Sequence, residues 1–308
     1  MDPDRELLRR LDPALHAFAA ARTDLSPSAL GAVRKSLDAR RAEVVELLDS
    51  AGVDITDGTA AGGVKVRIYR GAPSPSPAVI YCHAGAFVLG NLDTDHRQCV
   101  ELARRGSCTV ISVDYRLAPE HPFPAALDDV AAVMQWAYTE ADLGLDRDRL
   151  VLAGNSAGGA LAAGLAQRAA AEEVPPVVGL LLHQPALDDR PTASKAEFVA
   201  TPGFDGVAVE LMWRHYLAGA APSVASVPGR SHQLIGAADT FITCSELDPL
   251  RDEAADYAGE LMRSGVRTDL HIFGGTCHGF DSLRPDWEVS QTLVAMQGDA
   301  LRRFFGLP

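Results

Sequence analysis

A serine flanked by glycines is the strongest chemical signal in this sequence. Gly154 to Gly158 reads G-x-S-x-G, with Ser156 at its centre. The apolar run Leu150–Ala153 before it predicts a buried strand, and Ala157–Ala163 after it predicts the start of a helix. A serine on such a turn has a strained backbone and an exposed hydroxyl, and side chains in place of the glycines would collide with neighbouring backbone. The pattern predicts a nucleophile; the alternative is a tight turn carrying an exposed serine.

A reactive serine needs a base, and the base needs an acid that orients it, because the hydroxyl is a poor nucleophile while it keeps its proton. Nine histidines compete for the first role, and His278 directly follows the last predicted strand. Asp248 follows the strand before that, and the chain order Ser156, Asp248, His278 is the one expected for a serine on a strand-to-helix turn. Asp252 is the rival acid, although we expect it inside the next helix. For His278, the alternative is a loop histidine that caps a helix.

A third requirement is a set of N–H donors for the oxyanion of a tetrahedral intermediate. The segment His83–Phe87 follows a continuous apolar strand, where a loop can aim backbone N–H groups at the substrate. The N–H of Ala157, at the predicted helix start, supplies another donor. Each such donor contributes about 3 kcal/mol to transition-state stabilisation.

These residues depend on a sheet that brings distant segments together. After a loop at Gly71–Pro77, short apolar runs alternate with longer helical segments. The predicted strands are Ala78–Cys82, Thr109–Val113, Leu150–Ala153, Gly179–His183, Thr240–Cys244 and Asp269–Phe273. Continuous apolar strands separated by helices predict a parallel sheet covered on both faces, with the chemistry at the carboxyl ends of the strands. Val64–Tyr69 alternates more and is expected nearer an edge, while apolar spacing predicts helices up to about Ser50.

Composition narrows the class of protein. The chain has 308 residues and a net charge of −13, which argues against nucleic acid or an anionic membrane as partner because phosphate binding needs a basic field. The N-terminal segment has no signal-like apolar run, and no stretch approaches the roughly 20 apolar residues of a membrane span. Five scattered cysteines are expected as buried free thiols, which favours a cytoplasmic protein.

Five motifs in this order resemble the hormone-sensitive-lipase-like branch of the α/β-hydrolases, the bacterial family IV esterases. They read HAGAFVLGN, DYRLAPEHPFPAALDD, GNSAGG, SELDPLRDE and CHGF. The resemblance implies an α/β-hydrolase fold, with a mostly parallel central sheet, helices on both faces and a helical cap. Residues 1–50 would form the N-terminal part of the cap and 51–308 the catalytic domain, interrupted by a cap insertion at about 187–227.

The resemblance also implies roles for particular residues. Ser156, Asp248 and His278 map onto the family's catalytic triad. The oxyanion donors map onto Gly85, Ala86 and Ala157, and His83 maps onto a histidine that shapes the oxyanion loop. The family needs neither metal nor cofactor and acts on small-molecule esters. It also suggests a homodimer that forms through the strand near Thr240–Cys244.

Two departures from the family pattern stand out. The oxyanion loop is usually HGGG, whereas Ala84 and Ala86 replace glycines here. If position 86 needs a positive φ, alanine there costs about 1 kcal/mol. Its methyl group would also crowd the scissile carbonyl, so esters of tertiary alcohols are expected to be poor substrates. The second departure is Asn155, where the family usually has Asp or Thr.

Several features of the sequence have a structural reading as well as a functional one. Tyr115, Arg116, Glu120 and His121 resemble a structural loop of the family, and either His121-Pro122 or Phe123-Pro124 could be a cis peptide. Cys277 beside His278 is expected to be structural. Trp213, His215 and Tyr216 of the cap insertion would either line the substrate pocket or pack the cap.

The leading hypothesis is therefore a serine carboxylesterase that hydrolyses short- to medium-chain esters. Activity should fall below about pH 6 to 7, because the histidine base must be neutral. An amide or formamide hydrolase, or a deacetylase, would use the same residues. A ligand receptor on a catalytically dead hydrolase scaffold is a further alternative, and the presence of His278 argues against it.

Overall fold

The structure is a computed structural model that describes residues 3–308. The helices are α1 (Pro3–Arg10), α2 (Leu30–Leu47), α3 (His96–Gly106), α4 (Ala125–Thr139), α5 (Ala157–Ala170), α6 (Ala193–Glu197), α7 (Gly206–Leu217), α8 (Arg251–Arg263), α9 (Phe280–Leu283) and α10 (Glu288–Phe304). The strands are β1 (Asp54–Thr59), β2 (Lys65–Arg70), β3 (Ser76–Cys82), β4 (Thr109–Val113), β5 (Leu145–Asn155), β6 (Gly179–His183), β7 (Asp239–Leu247) and β8 (Thr268–Cys277). Every strand predicted from the sequence is present.

The strands form one sheet in the order β1-β2-β4-β3-β5-β6-β7-β8. The six strands β3 to β8 pair in parallel, and β1 and β2 add an antiparallel margin at one side. The mostly parallel sheet predicted from the apolar runs is therefore confirmed. The edge strand β1 was not predicted, because its sequence DITDGT is polar and its pairing with β2 leaves most of it exposed.

Both faces of the sheet are covered by helices. On β3, Tyr81 belongs to a buried cluster with Leu102 of α3 and Leu301 of α10. The preceding residue, Ile80, points to the opposite face and belongs to a cluster with Leu161 of α5. This alternation places the central strands between two hydrophobic layers, so the carboxyl ends of the strands are firmly positioned.

The strand that was predicted to form the homodimer does not lie at an edge of the sheet. Thr240–Cys244 is part of β7, which is hydrogen-bonded to β6 on one side and to β8 on the other. A second copy cannot add to a strand whose backbone groups are already paired on both sides, so this prediction was wrong about the strand. On this side of the sheet the edge strand is β8, and a dimer formed by strand pairing would have to use it. Homodimer formation itself stays a prediction.

The N-terminal segment packs on the segment that follows β6. The Gly203 N–H donates to Ala21 O over 3.0 Å, and Arg22 Nη2 donates to Ala200 O over 2.7 Å. His215 of α7 contributes its Nε2 to a contact of 2.8 Å with Leu25 O. The two segments predicted to form a cap are thus in direct contact.

Other expectations concern the cysteines, the prolines and the membrane. All five cysteines are buried free thiols, as predicted. Of the two X-Pro bonds singled out, Phe123-Pro124 is cis, and Ser74-Pro75 and Ala118-Pro119 are cis as well. Among the helices of residues 3–308, none combines the length and the apolar character that crossing a bilayer requires.

Candidate active site

Ser156 lies on a sharp turn between β5 and α5. Its backbone has φ 55° and ψ −117°, a conformation that non-glycine residues rarely adopt. The turn is held from two sides: the Ser156 N–H donates to His183 O over 2.9 Å, and Ser156 O accepts from the Ala186 N–H over 3.0 Å. These bonds fix the serine at the carboxyl end of β5 with the strained backbone that the sequence predicted. Ser156 is only 2% exposed, so the prediction of an exposed hydroxyl was wrong.

The glycines around the serine are required by close packing, as the sequence predicted. A Cβ on Gly154 would lie 2.2 Å from Gly158 O. A Cβ on Gly158 would lie 2.0 Å from Cys82 O. These distances are far inside van der Waals contact, so the helix can start against the ends of β3 and β5 only when both positions lack side chains.

Ser156, His278 and Asp248 meet although they are far apart in the sequence. His278 Nε2 lies 3.1 Å from Ser156 Oγ, and His278 Nδ1 lies 2.8 Å from Asp248 Oδ2. Asp248 is fully buried, and its other oxygen accepts the Leu250 N–H over 2.8 Å. In this arrangement the serine hydroxyl can donate to Nε2 while Nδ1–H donates to the aspartate.

The rival groups are engaged elsewhere. Asp252 lies in the first turn of α8, where its carboxylate accepts the Ser194 N–H over 2.7 Å and Arg251 Nε over 2.9 Å. Cys277 is completely buried, and this burial raises the pKa of its thiol to about 12. A thiol with that pKa is not a nucleophile at neutral pH.

The loop after β3 brings free N–H groups beside the turn of Ser156. Gly85 and Ala86 have φ of 138° and 54°, so the loop does use a positive φ at the position where alanine replaces the family's glycine. Gly85 O accepts the N–H groups of Val88 and Leu89. Within residues 3–308, the N–H groups of Gly85, Ala86 and Ala157 have no hydrogen-bond acceptor in the protein. They are therefore available to bind an oxyanion.

His83 supports this loop from below. Its Nδ1 lies 2.8 Å from Ala84 O, its ring stacks on Tyr115 at 4.1 Å, and its carbonyl accepts the Tyr115 hydroxyl over 2.7 Å. Burial lowers the pKa of the imidazole to about 4. The ring is therefore neutral at neutral pH, which fits a role in shaping the loop. Tyr115 is buried against it, as expected of a scaffold residue.

Asp95 is a half-buried residue that the sequence did not single out. Its Oδ2 accepts the Ala84 N–H over 2.8 Å and the Tyr81 hydroxyl over 3.1 Å, and burial raises its pKa. Its Oδ1 accepts Asn155 Nδ2 over 3.3 Å. The amide of Asn155 thus connects the turn of Ser156 to the oxyanion loop, whereas an aspartate there would place a second carboxylate beside Asp95.

A second His–Asp pair lies behind the first. His183 Nε2 lies 3.2 Å from Asp281 Oδ1, and His183 Nδ1 lies 2.9 Å from Thr243 Oγ1. Asp281 is largely shielded from solvent, which by itself would raise its pKa, but the neighbouring His183 and the hydrogen bonds to Asp281 hold the pKa below the usual range. No spacing signal in the sequence pairs these residues, since their segments meet only at the sheet.

A cavity of about 440 Å³ opens beside His278, and Ser156 lies next to its lining rather than in it. Asn155, Ala84 and Asp281 line it from the sheet side, and α2 closes the other side with Leu37. The aromatic residues of α7 pack against the oxyanion loop: Phe87 stacks on Tyr216 with ring centroids 3.8 Å apart, and Trp213 lies 5.6 Å from Phe87. Trp213 also lines a separate cavity of about 600 Å³ between α6 and α7.

In the described part of the chain, no group of three or more His, Cys, Asp or Glu side chains is arranged to hold a metal ion.

Comparison with known proteins relates the chain to ester hydrolases. Residues 79–282 match a protein family with the alpha/beta hydrolase fold. Esterase LipI of Mycobacterium tuberculosis is 38% identical over 238 residues, 74% of each chain. Ethyl acetate hydrolase of Pseudomonas putida is 32% identical over 254 residues, 77% of this chain and 78% of the relative. The crystal structure of esterase LipW from Mycobacterium marinum aligns with a TM-score of 0.95 and 58% identity, covering 97% of each chain.

Proposed function

Because the chain belongs to the hormone-sensitive-lipase-like family of α/β-hydrolases and is a carboxylic ester hydrolase, we propose that it cleaves short- to medium-chain esters through a covalent acyl-enzyme. The family and fold implied by the five sequence motifs are thus confirmed. The proposal concerns the residues that perform the reaction and the size of the substrate. The observation that carries it is the unbroken hydrogen-bond chain from Ser156 through His278 to Asp248.

In the first half of the reaction, Ser156 Oγ attacks the ester carbonyl while His278 Nε2 takes its proton. Asp248 accepts a hydrogen bond from Nδ1, which holds the imidazole in the tautomer with a free Nε2 and stabilises the imidazolium that forms. The imidazolium then protonates the departing alcohol, leaving the acyl group on Ser156. Because Asp248 is fully buried, its charge acts on the imidazole with little screening by water.

In the second half, the same histidine activates a water molecule that attacks the acyl-enzyme. Both tetrahedral intermediates carry a negative oxygen, and the N–H groups of Gly85, Ala86 and Ala157 are its proposed donors. The Ala157 N–H adds the positive end of α5, a helix of 14 residues. His83 keeps the loop in place and exchanges no proton with substrate.

The cap is proposed to consist of residues 1–50 together with the insertion at about 187–227. Its α2 faces the cavity beside His278, and its α7 presses Tyr216 and Trp213 against Phe87 of the oxyanion loop. A cavity of about 440 Å³ suits a small or medium ester, since pockets for drug-sized ligands begin at about 300 Å³. This is the basis for proposing short to medium acyl chains.

The test is turnover of a series of 4-nitrophenyl esters from acetate to dodecanoate. We expect the highest kcat/KM for a short or medium chain, and loss of at least about 10⁴-fold in kcat for Ser156→Ala. Ser264→Ala, at the far end of α8, is the matched control and should keep wild-type turnover. An inactive wild type would contradict the proposal and favour a receptor.

An additional measurement with an amide substrate distinguishes ester hydrolysis from amide hydrolysis. 4-Nitroacetanilide carries the same acyl group as 4-nitrophenyl acetate, so the pair differs in the leaving atom alone. A kcat/KM for the anilide that exceeds that for the ester would replace the proposed activity with amide hydrolysis. A peak at the dodecanoate would contradict the proposed chain length.

A further inference from the structure

Two arginines of the cap line the cavity beside His278. Arg40 and Arg41 lie on the same face of α2 as Leu37 and Val44, which also line the cavity, because residues three, four and seven apart share one side of a helix. The proposed reaction uses neither arginine. Their side chains place two guanidinium groups at the wall opposite the sheet.

Neither guanidinium forms a short bidentate pair with a carboxylate. The nearest acid to Arg41 is Asp38, with Nη1 3.5 Å from Oδ1, and Arg40 Nε donates to Ser36 O of its own helix over 3.3 Å. A bidentate arginine–carboxylate pair forms two bonds below 3 Å, as Arg230 does with Asp189 at 2.6 and 2.9 Å elsewhere in this protein. Within the described residues, Arg40 has no ion pair, and Arg41 retains most of its hydrogen-bonding capacity.

The acidic side chains around the same cavity are already engaged. Asp93 pairs with Arg67 at 2.8 Å, and Glu101 pairs with Arg104 at 2.6 Å and with Arg105 at 2.7 Å. Asp281 lies 3.2 Å from His183. Asp95 accepts three hydrogen bonds. Arg97 pairs with Asp286 at 3.1 Å. The positive charges on the cap wall of the cavity are therefore those of the two α2 arginines, and on the sheet side Asp95 has no cationic partner.

The positive charge of Arg41 acts on His83 and Asp95, which lie on the sheet side of the site. Burial is the main reason that the pKa of His83 is lowered, and the positive charge of Arg41 lowers it further. The same charge opposes the burial-driven rise in the pKa of Asp95. Arg41 is only 22% exposed, so its field is screened less than that of a surface arginine.

We propose that Arg41, assisted by Arg40, binds an anionic group of the substrate, so that the preferred substrates are esters carrying a carboxylate. This inference rests on the proposed esterase function and names the substrate class for the same site. An arginine that already lies at the cavity wall can form a charge-assisted, bidentate bond to a carboxylate. The selectivity is local, because the chain as a whole carries a net charge of −13 and repels anions at longer range.

The test compares isosteric ester pairs that differ in charge. On the acyl side, monomethyl glutarate is paired with methyl 5-methylhexanoate; on the alcohol side, 4-acetoxybutanoate is paired with 4-methylpentyl acetate. In a pH-stat assay, we expect at least one pair to favour the anion in wild type. Arg41→Gln should lower that anionic-to-neutral ratio of kcat/KM about tenfold, and Arg40→Gln should lower it less. Arg41→Lys should restore part of it.

Lys35→Gln is the matched control, since it removes one positive charge from α2 at an exposed position that does not line the cavity. It should leave the ratio unchanged. Turnover of the neutral esters with a ratio that Arg41→Gln does not change in either pair would overturn the inference and leave the esterase function intact.

A binding measurement makes the inference independent of turnover. Calorimetry of the Ser156→Ala variant with monomethyl glutarate and with 4-acetoxybutanoate should give, for at least one of them, a Kd that rises about tenfold when Arg41→Gln is added. If no ester is hydrolysed by wild type, the esterase function fails, and this measurement still decides whether the cavity recognises an anion. An equal Kd in the two variants would overturn the inference.

Discussion

The two sides of the candidate active site are held in different ways. On the sheet side, the serine turn is fixed by backbone hydrogen bonds to its neighbours, and the residues Leu150–Asn155 leading into it are all buried. On the cap side, the 18-residue helix α2 buries one residue, Leu30. Its polar attachment to the catalytic side includes Arg34, which donates to Val88 O, Ala118 O and the carboxylate of Glu120.

This contrast indicates that the two sides of the site have different roles. The sheet side positions reacting atoms, and interiors packed to crystal density transmit small displacements. The cap side makes side-chain contacts that can be exchanged without moving the triad. Substitutions in the sheet side should therefore change the rate for every ester, whereas substitutions on the cap side should change which ester is preferred.

The largest effect should come from the acid of the proposed triad. Asp248→Asn keeps the size of the side chain but favours the wrong imidazole tautomer, so kcat should fall about 10⁴-fold for all esters. Asp252→Asn is the control: its side chain is bonded to Ser194 and Arg251, and we expect less than a threefold change, about 0.6 kcal/mol. A larger loss in Asp252→Asn would move the role of acid to that residue.

The next effect tests how tightly the sheet side is packed. Gly158→Ala would put a Cβ 2.0 Å from Cys82 O and 2.6 Å from His83 O, so the helix must shift away from β3. A displacement of about 1 Å costs about 100-fold in activity, and overpacking costs up to about 3 kcal/mol of stability.

Gly164→Ala provides the matched control on the same helix. Its Cβ would meet Leu127 Cδ1 at 3.6 Å, an ordinary contact, so the helix should gain about 1 kcal/mol of stability with normal activity. Chemical denaturation and ester turnover measure both variants. Wild-type activity in Gly158→Ala would show that the serine turn tolerates movement and would weaken the contrast between the two sides.

The same contrast explains which parts of the structure the sequence predicts. The parallel strands and the serine turn follow from local patterns, namely apolar runs and the glycines around Ser156. The contact of Ser156, His278 and Asp248 follows from chain order combined with the rule that chemistry gathers at the carboxyl ends of strands. These patterns are visible in the sequence because strands that are buried on both faces of a sheet must be apolar along their whole length.

The unpredicted parts lack such local constraints. The polar strand β1 is defined by its pairing with β2 and has no apolar alternation of its own. Asp95 acts through a contact with Asn155, 60 positions away, and nothing in its own segment indicates this. Arg41 looks like any surface arginine until the fold places α2 over the cavity. The strand proposed for dimer formation was wrong because the sequence does not give strand order.

The pH dependence of the free energy of unfolding should report on the buried His83, which lies on the sheet side of the site. The pKa of His83 is about 4 in the folded protein against 6.5 for the free side chain, so the unfolded state binds a proton first as pH falls. The contribution of His83 is therefore present above pH 6.5 and is lost progressively towards pH 4. Between pH 7 and pH 5 the loss should be about 2 kcal/mol.

The variant His83→Gln removes that titration. Its stability is lower at pH 7 because the stacking on Tyr115 is lost, yet its decrease from pH 7 to pH 5 should be smaller than that of wild type by about 2 kcal/mol. Denaturant titrations at the two pH values measure the difference. Equal decreases in the two proteins would mean that His83 is protonated in the folded state and that the sheet side of the site is more open than the burial of His83 indicates.

The smallest effect should come from Ala86, where the sheet side and the substrate meet. Alanine at a φ of 54° costs about 1 kcal/mol, and its methyl group crowds the proposed position of the scissile carbonyl. Ala86→Gly should relieve both, raising turnover of tert-butyl acetate relative to n-butyl acetate by several-fold. Ala84→Gly is the control, because Ala84 has no positive φ and its N–H is bound to Asp95. An equal change of this ratio in both variants would mean that the flexibility of the loop, and not the methyl group of Ala86, controls access of tertiary alcohols. No change in either variant would mean that another wall of the pocket, on the cap side, excludes them.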